Sequence, residues 1–239
     1  MKLAPFLALA VFGLTVATSP AIQADDELVD TFSIGSPPKP TITPDMLAKS
    51  RASAIKNAAA LLHTANDPIA GDPAASVTLV EFMDFKCPLS EKMDPDIQAL
   101  ILKNPDFRII YKVVPIRGET SVFAAKAALA ANKQGKYIEF HKALMHTGNT
   151  LTTAQVMEIA KAQGLNVAQL KTDMNNPEIA KQIAANISLF HTMGIPGTPG
   201  LIFAKSNLTD TAKNDAVIYM LGVFTEAELQ SALEKTEKQ

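Results

Sequence analysis

One cysteine, Cys87, is the whole thiol complement of this 239-residue chain. Internal disulfides are therefore excluded as a source of stability, and the thiol must pair with another molecule, stay free or be buried. Positive charge is not in excess either: 22 lysines and arginines face 24 acids, a balance that argues against nucleic acid as a partner. No internal repeat is visible. The nine methionines are scattered, which leaves a methionine-rich copper site unsupported. No acid or thiol cluster joins the four histidines His63, His141, His146 and His191, so no metal and no cofactor are expected; the histidines read as surface or packing residues.

What is present is enough apolar material for a sizeable core. Hydrophobic residues make up 47% of the chain and charged residues 19%, which fits one or two domains and is too polar in the later parts for a multi-span membrane protein. The opening MKLAPFLALAVFGLTVATSPAIQA reads as a secretory leader: basic Lys2, an apolar run from Leu7 to Val16 that is short for a membrane span, and a small residue at Ala24, where cleavage is expected. Loss of residues 1–24 removes Lys2 and no acid, leaving the mature chain one unit more negative than the −2 of the full chain. Export places the protein in the periplasm or cell envelope. Residues 25–44 hold clustered prolines and little periodicity, so they read as an extended arm. From about Asp45 the spacing of Leu47, Ile55, Ala58 and Leu62 predicts an amphipathic helix, and residues 25–65 form a linker and helix ahead of a domain at 66–239. Two covers suit that apolar face: the body of its own chain, or a second copy in a homo-oligomer.

Residues 65–75 read as a turn. VTLVEFM, 77–83, is a β-branched apolar run typical of a buried strand, and it leads straight to Cys87 and Pro88 at the start of a helix running to about Lys103, with Pro95 expected to kink it. FRIIYKVVPI, 107–116, predicts the next strand. From Ser121 to about Phe190 the pattern is helical, with breaks near Gly135, Gly148, Gly164 and 175–177, giving three or four helices. After the dense turn GIPGTPG, 194–200, come the strand LIFA, a polar loop at 205–214, the strand-like AVIYMLG at 216–222, and a last helix capped by Thr225. The order is β-α-β, a helical block, then β-β-α: an α/β protein.

A cysteine that ends a strand and opens a helix lies beside unpaired backbone N–H groups at the positive end of the helix dipole. Both favour thiolate, the nucleophilic form, and Lys86 would help by turning inward. VTLVEFMDFKCPLSEKM resembles the active-site segment of DsbA-like thiol:disulfide oxidoreductases, members of the thioredoxin superfamily of the bacterial cell envelope. GIPGTPGLIF resembles the second hallmark of that superfamily, the loop whose proline is cis and faces the cysteine. The resemblance covers roughly residues 66–236 and implies a thioredoxin fold with a helical insertion at about 118–192, preceded by the N-terminal arm and helix. It makes Cys87 the nucleophile, Pro88 and Leu89 the variable pair, Pro199 the cis-proline with Thr198 before it in the substrate groove, and Glu81 the buried acid that exchanges a proton with a leaving thiol. The other reading of Glu81 is a strand residue pointing to solvent.

The sequence departs from the family at Ser90, which stands where the second cysteine belongs. A serine hydroxyl cannot attack a mixed disulfide, so release falls to a substrate thiol, glutathione or a partner protein. Ser90 could instead donate a hydrogen bond to the Cys87 thiolate. The expected activity is isomerase- or reductase-like exchange on envelope proteins that carry thiols or disulfides. The rival is a catalytically degenerate binding or chaperone-like envelope protein. The enzymatic reading requires Cys87 to be reachable and to face residue 199.

Overall fold

The computed structural model describes residues 43–239. The expected leader and nearly all of the arm lie outside them. The first element, α1 (Pro44–Lys56), is capped by Thr43, whose hydroxyl accepts from the Met46 N–H, and has proline at the first helical position, where no intrahelical N–H is lost. A short α2 (Ala58–Leu62) follows.

The centre is a five-stranded sheet of β1 (Ile69–Gly71), β2 (Val77–Met83), β3 (Phe107–Val113), β4 (Gly200–Lys205) and β5 (Val217–Leu221), in the order β1-β3-β2-β4-β5. Only β2 and β3 run parallel. The crossover between them is α3 (Pro88–Lys103), whose buried residues Ser90, Met93, Asp94, Ile97 and Leu100 form one stripe at helical spacing. That helix runs on through Pro95.

Every residue of β2 and β3 is buried, and alternation sorts them between two cores. Val77, Leu79 and Met83 of β2 enter the larger core with Tyr111 of β3, which places Glu81 on that face too. Val80, Phe82 and Ile110 enter the second core. Ala54, Ile55, Ala58, Leu61 and Leu62 belong to the second core, so the apolar face of α1 and α2 lies on the body of its own chain, the first of the two covers considered above. On this face the buried ammonium of Lys112 pairs with Asp67 and donates to the Ala60 carbonyl at 2.6 Å, joining the sheet to the segment after α2.

Between β3 and β4 lie α4 (Glu119–Lys133), α5 (Tyr137–Thr147), α6 (Thr153–Ala162), α7 (Val167–Met174) and α8 (Pro177–Thr192). Sequence reading gave three or four helices here; five are present because each of the four breaks ends one. Thr152 with Gln155 opens α6 by a capping box, and Asn176 with Pro177 opens α8. The last helix, α9 (Glu226–Glu237), starts at a Thr225–Glu228 capping box. Two further corrections concern strands. Residues 69–71, read as turn, pair antiparallel with β3 as β1. The strand expected over 107–116 stops at Val113, just before Pro115, which has no N–H for the ladder. Among the described residues no helix is long and apolar enough to cross a membrane.

Candidate active site

Four residues connect β2 to α3, and two sets of bonds fix their path. The Cys87 N–H donates to the Asp84 carbonyl at 2.9 Å, closing a turn. The fully buried Asp84 carboxylate accepts from the backbone N–H groups of Lys86 at 2.8 Å, Ile116 at 2.8 Å and Arg117 at 3.1 Å, and from the Ser121 hydroxyl. The loop that presents the cysteine is thereby fastened to the loop that leads into α4. Charge-assisted bonds to main-chain donors are among the stronger ones a protein makes.

Cys87 is the N-cap of α3, in extended conformation at φ −88° and ψ 115°, and its carbonyl starts the helix by accepting from the Glu91 N–H at 3.0 Å. Pro88 follows at the first helical position, exposed. The Cys87 thiol donates to the Thr198 carbonyl at 3.1 Å, and the Thr198–Pro199 peptide is cis. Two segments 111 residues apart thus meet at the sulfur. The expectation that the thiol is reachable does not hold: Cys87 is 0% exposed, lying against the bend at Thr198.

Beneath it lies Glu81, 1% exposed and facing the larger core rather than solvent. The register sets it beside Tyr111 of β3 and Leu201 of β4. Neither carboxyl oxygen has a hydrogen-bond partner. Burial pushes its pKa well above the usual carboxylate range, and the nearby Asp94 and Cys87 push the same way. Ser90 is fully buried as well and its Oγ makes no hydrogen bond, so the bond to sulfur that the sequence suggested is not made while the thiol donates to Thr198. The Thr198 hydroxyl is likewise buried and unpartnered. Glu81, Ser90 and the Thr198 hydroxyl thus share one property: each is buried and holds no protein partner.

Sequence reasoning overlooked two neighbours. Asp94 lies on the buried stripe of α3, one turn beyond Ser90, and its Oδ1 meets Nε2 of His141 at 2.9 Å and accepts from Gln98 Nε2 at 3.2 Å. Gln98 Nε2 also donates to the Tyr111 hydroxyl at 2.8 Å. His141 comes from α5 in the insertion, is completely buried, and has ring centroids of Tyr111 at 4.5 Å and of Phe85 and Tyr137 at 5.5 Å. His63, His146 and His191 are exposed. Among the described residues no group of three His, Cys, Asp or Glu side chains gathers to hold a metal. Periodicity along α3 was the available signal for Asp94; nothing in the sequence announces its pairing 47 residues away with His141.

The family model described as thioredoxin matches residues 63–220. A solved thioredoxin-like oxidoreductase from Silicibacter pomeroyi is 35% identical, with TM-score 0.67, over 76% of this chain and 98% of that one. The catalytic domain of Proteus mirabilis ScsC is 25% identical, with TM-score 0.68, over 79% of this chain and 99% of its own. Disulfide bond formation protein D of Bacillus subtilis is 25% identical over 162 residues, 63% of this chain and 73% of that protein. The chain also matches a sodium/proton antiporter NhaA of Salinispora tropica, 27% identical over 56% of this chain, but spans only 21% of the antiporter's length. Since the family match extends over well more than half of the sequence, the chain belongs to the thioredoxin family, and it is similar to the thioredoxin-like oxidoreductase and to the ScsC catalytic domain.

Proposed function

We propose that the protein is an exported thiol-disulfide exchange protein that acts on cell-envelope proteins through the single nucleophile Cys87, isomerase- or reductase-like, with release by an external thiol. The observation that carries this reading is the Cys87 thiol at the mouth of α3, within hydrogen-bond reach of the carbonyl that precedes the cis-proline and above the buried Glu81. Placement in the envelope rests on the leader read in residues 1–24.

Attack starts when the thiol gives up its proton and its bond to Thr198. The Cys87 thiolate forms a bond to one sulfur of a substrate disulfide, the substrate S–S bond breaks, and the other sulfur leaves with the electron pair. Glu81, kept neutral by burial, has a proton to give that sulfur. Ser90 leaves no internal thiol for the second step. A substrate thiol that attacks the mixed disulfide completes an isomerisation, and a thiol from elsewhere completes a reduction. Thr198 and Pro199 line the place where an extended substrate segment sits beside the sulfur.

Because Cys87 is fully covered, its cover must move for any of this chemistry, and that burial favours the rival reading of a catalytically degenerate binding or chaperone-like protein. Refolding of scrambled ribonuclease in a thiol buffer separates the two. Turnover that disappears in Cys87→Ala supports exchange; no turnover, with partner binding untouched by the substitution, overturns it.

A further inference from the structure

Each time Glu81 gives a proton to a leaving sulfur, it must be refilled, and Glu81 itself is sealed from water. Of the buried carboxyl groups in this cluster, Asp94 is the one that lines a cavity. Asp94 is 8% exposed and lines a cavity of about 400 Å³ beside Pro88, with Lys142 and His146 on its other wall. We propose that Asp94 and His141 are positioning residues for proton delivery: Asp94, held in place by His141, connects Glu81, beneath Cys87, to water in this cavity. The inference rests on the exchange reading above and names how its acid is replenished.

The geometry is specific. Glu81 pairs in register with Tyr111, whose hydroxyl accepts from Gln98 Nε2, and the same nitrogen donates to Asp94 Oδ1, so the two carboxyls belong to one buried polar cluster in which both Glu81 oxygens are free of protein partners. Asp94 is not free to swing away, because His141 Nε2 and Gln98 Nε2 both hold Oδ1. The other nitrogen of His141, Nδ1, is buried without a partner, an unusual state for a ring that could otherwise serve only as packing. An imidazole bonded to a carboxylate can take or give the proton that passes. The other titratable groups facing this cluster are Tyr111 of β3 and Tyr137 of α5, both pushed up by burial and so neutral, Cys87 at the start of α3, and, around the cavity, Glu91 and Lys92 of α3 with Lys142 and His146 of α5. The protons balance: the Cys87 thiol releases one to solvent as it becomes thiolate, Glu81 gives one to the departing thiolate and becomes a carboxylate, and one taken from the cavity by way of Asp94, held by His141, restores Glu81. No oxidant or reductant beyond the exchanging disulfide is needed.

The test compares two small disulfides in single turnover with the reduced protein. Oxidised glutathione expels a basic alkyl thiolate that needs a proton; an aryl disulfide such as dithiobis-nitrobenzoate expels a weakly basic thiolate that does not. The alkyl-to-aryl rate ratio is expected to fall about tenfold in Asp94→Asn and in His141→Gln, which keep the acid itself, and further in Glu81→Gln, toward the roughly 10²- to 10⁴-fold that a general acid contributes. A ratio within twofold of wild type in both Asp94→Asn and His141→Gln overturns the proposal, and a merely structural role for the pair would slow both disulfides together and leave the ratio alone. Should either variant fail to fold, the wild-type protein decides: exchange in heavy water is expected to slow more for the alkyl than for the aryl disulfide, and equal slowing overturns the proposal. Failure of wild-type Cys87 to react with the aryl disulfide brings down the exchange reading itself and this inference with it.

Discussion

Glu81→Gln should make stability less dependent on pH, by an amount that follows from the burial of one carboxyl. In the folded protein Glu81 is 1% exposed, with no hydrogen bond to either oxygen, and its pKa is raised first by burial, then by Asp94 and Cys87. In the unfolded chain it titrates near the ordinary value of 4.5. Above that value the native state binds the proton and the unfolded state does not, so stability falls as pH rises, by at most about 1.4 kcal/mol per unit, until the folded pKa is passed. Between about pH 5 and about pH 6 the loss from this one group is at most about 1.2 kcal/mol, because the unfolded carboxyl is already partly ionised at the lower pH. Glutamine cannot titrate. The unfolding free energy of Glu81→Gln minus that of wild type, from urea titrations at the two pH values, should therefore grow across the interval, by up to about 1.2 kcal/mol. Any constant cost of the amide cancels in that comparison. A difference that stays flat would refute the placement of a protonated Glu81 in the core.

Three other substitutions probe the surroundings. Ser90→Cys puts a thiol where the buried, unpartnered hydroxyl now sits and should free the mixed disulfide without added thiol, at least ~10³-fold faster than about 1 mM external thiol does in wild type; quenched-flow alkylation reads the lifetime. Asp84→Ala removes the acceptor shared by Lys86, Ile116, Arg117 and Ser121 and should cost about 2–4 kcal/mol in urea unfolding while slowing exchange, with Asp84→Asn milder on both counts. Lys112→Met strands the buried Asp67 carboxylate and should cost about 3–5 kcal/mol, most of it recovered when Asp67→Leu is added, as thermal melts of the single and double variants will report.

The strand leading to Cys87 was legible to the residue because an unbroken apolar β-branched run with a cysteine and proline behind it leaves little choice of structure. Thr225 announced α9 by local chemistry in the same way, as its N-cap. Residues 69–71 were not legible as a strand: three residues at a sheet edge carry no periodicity, and only pairing with Ile109 and Ile110 makes them β1. In the insertion the breaks were visible, yet how many helices they bounded depended on caps such as Asn166, which opens the eight-residue α7. Within the site, Glu81, Cys87 and Thr198 could be picked from their motifs. Asp84 could not be given its task, since three of its four donors lie 32 to 37 residues away, nor could His141, since its meaning lies in Asp94. The covering of Cys87 is a property of the packed whole, which no local motif encodes.

The account turns on Cys87 as a nucleophile that depends on a thiol from outside. Intact-mass spectrometry of the native, reduced protein after exposure to oxidised glutathione tests this most directly. The account predicts a single adduct on Cys87, absent from Cys87→Ala, that persists after the disulfide is removed and disappears when a free thiol is added. Labelling that appears only after denaturation, or an adduct that resolves with no thiol present, would contradict it.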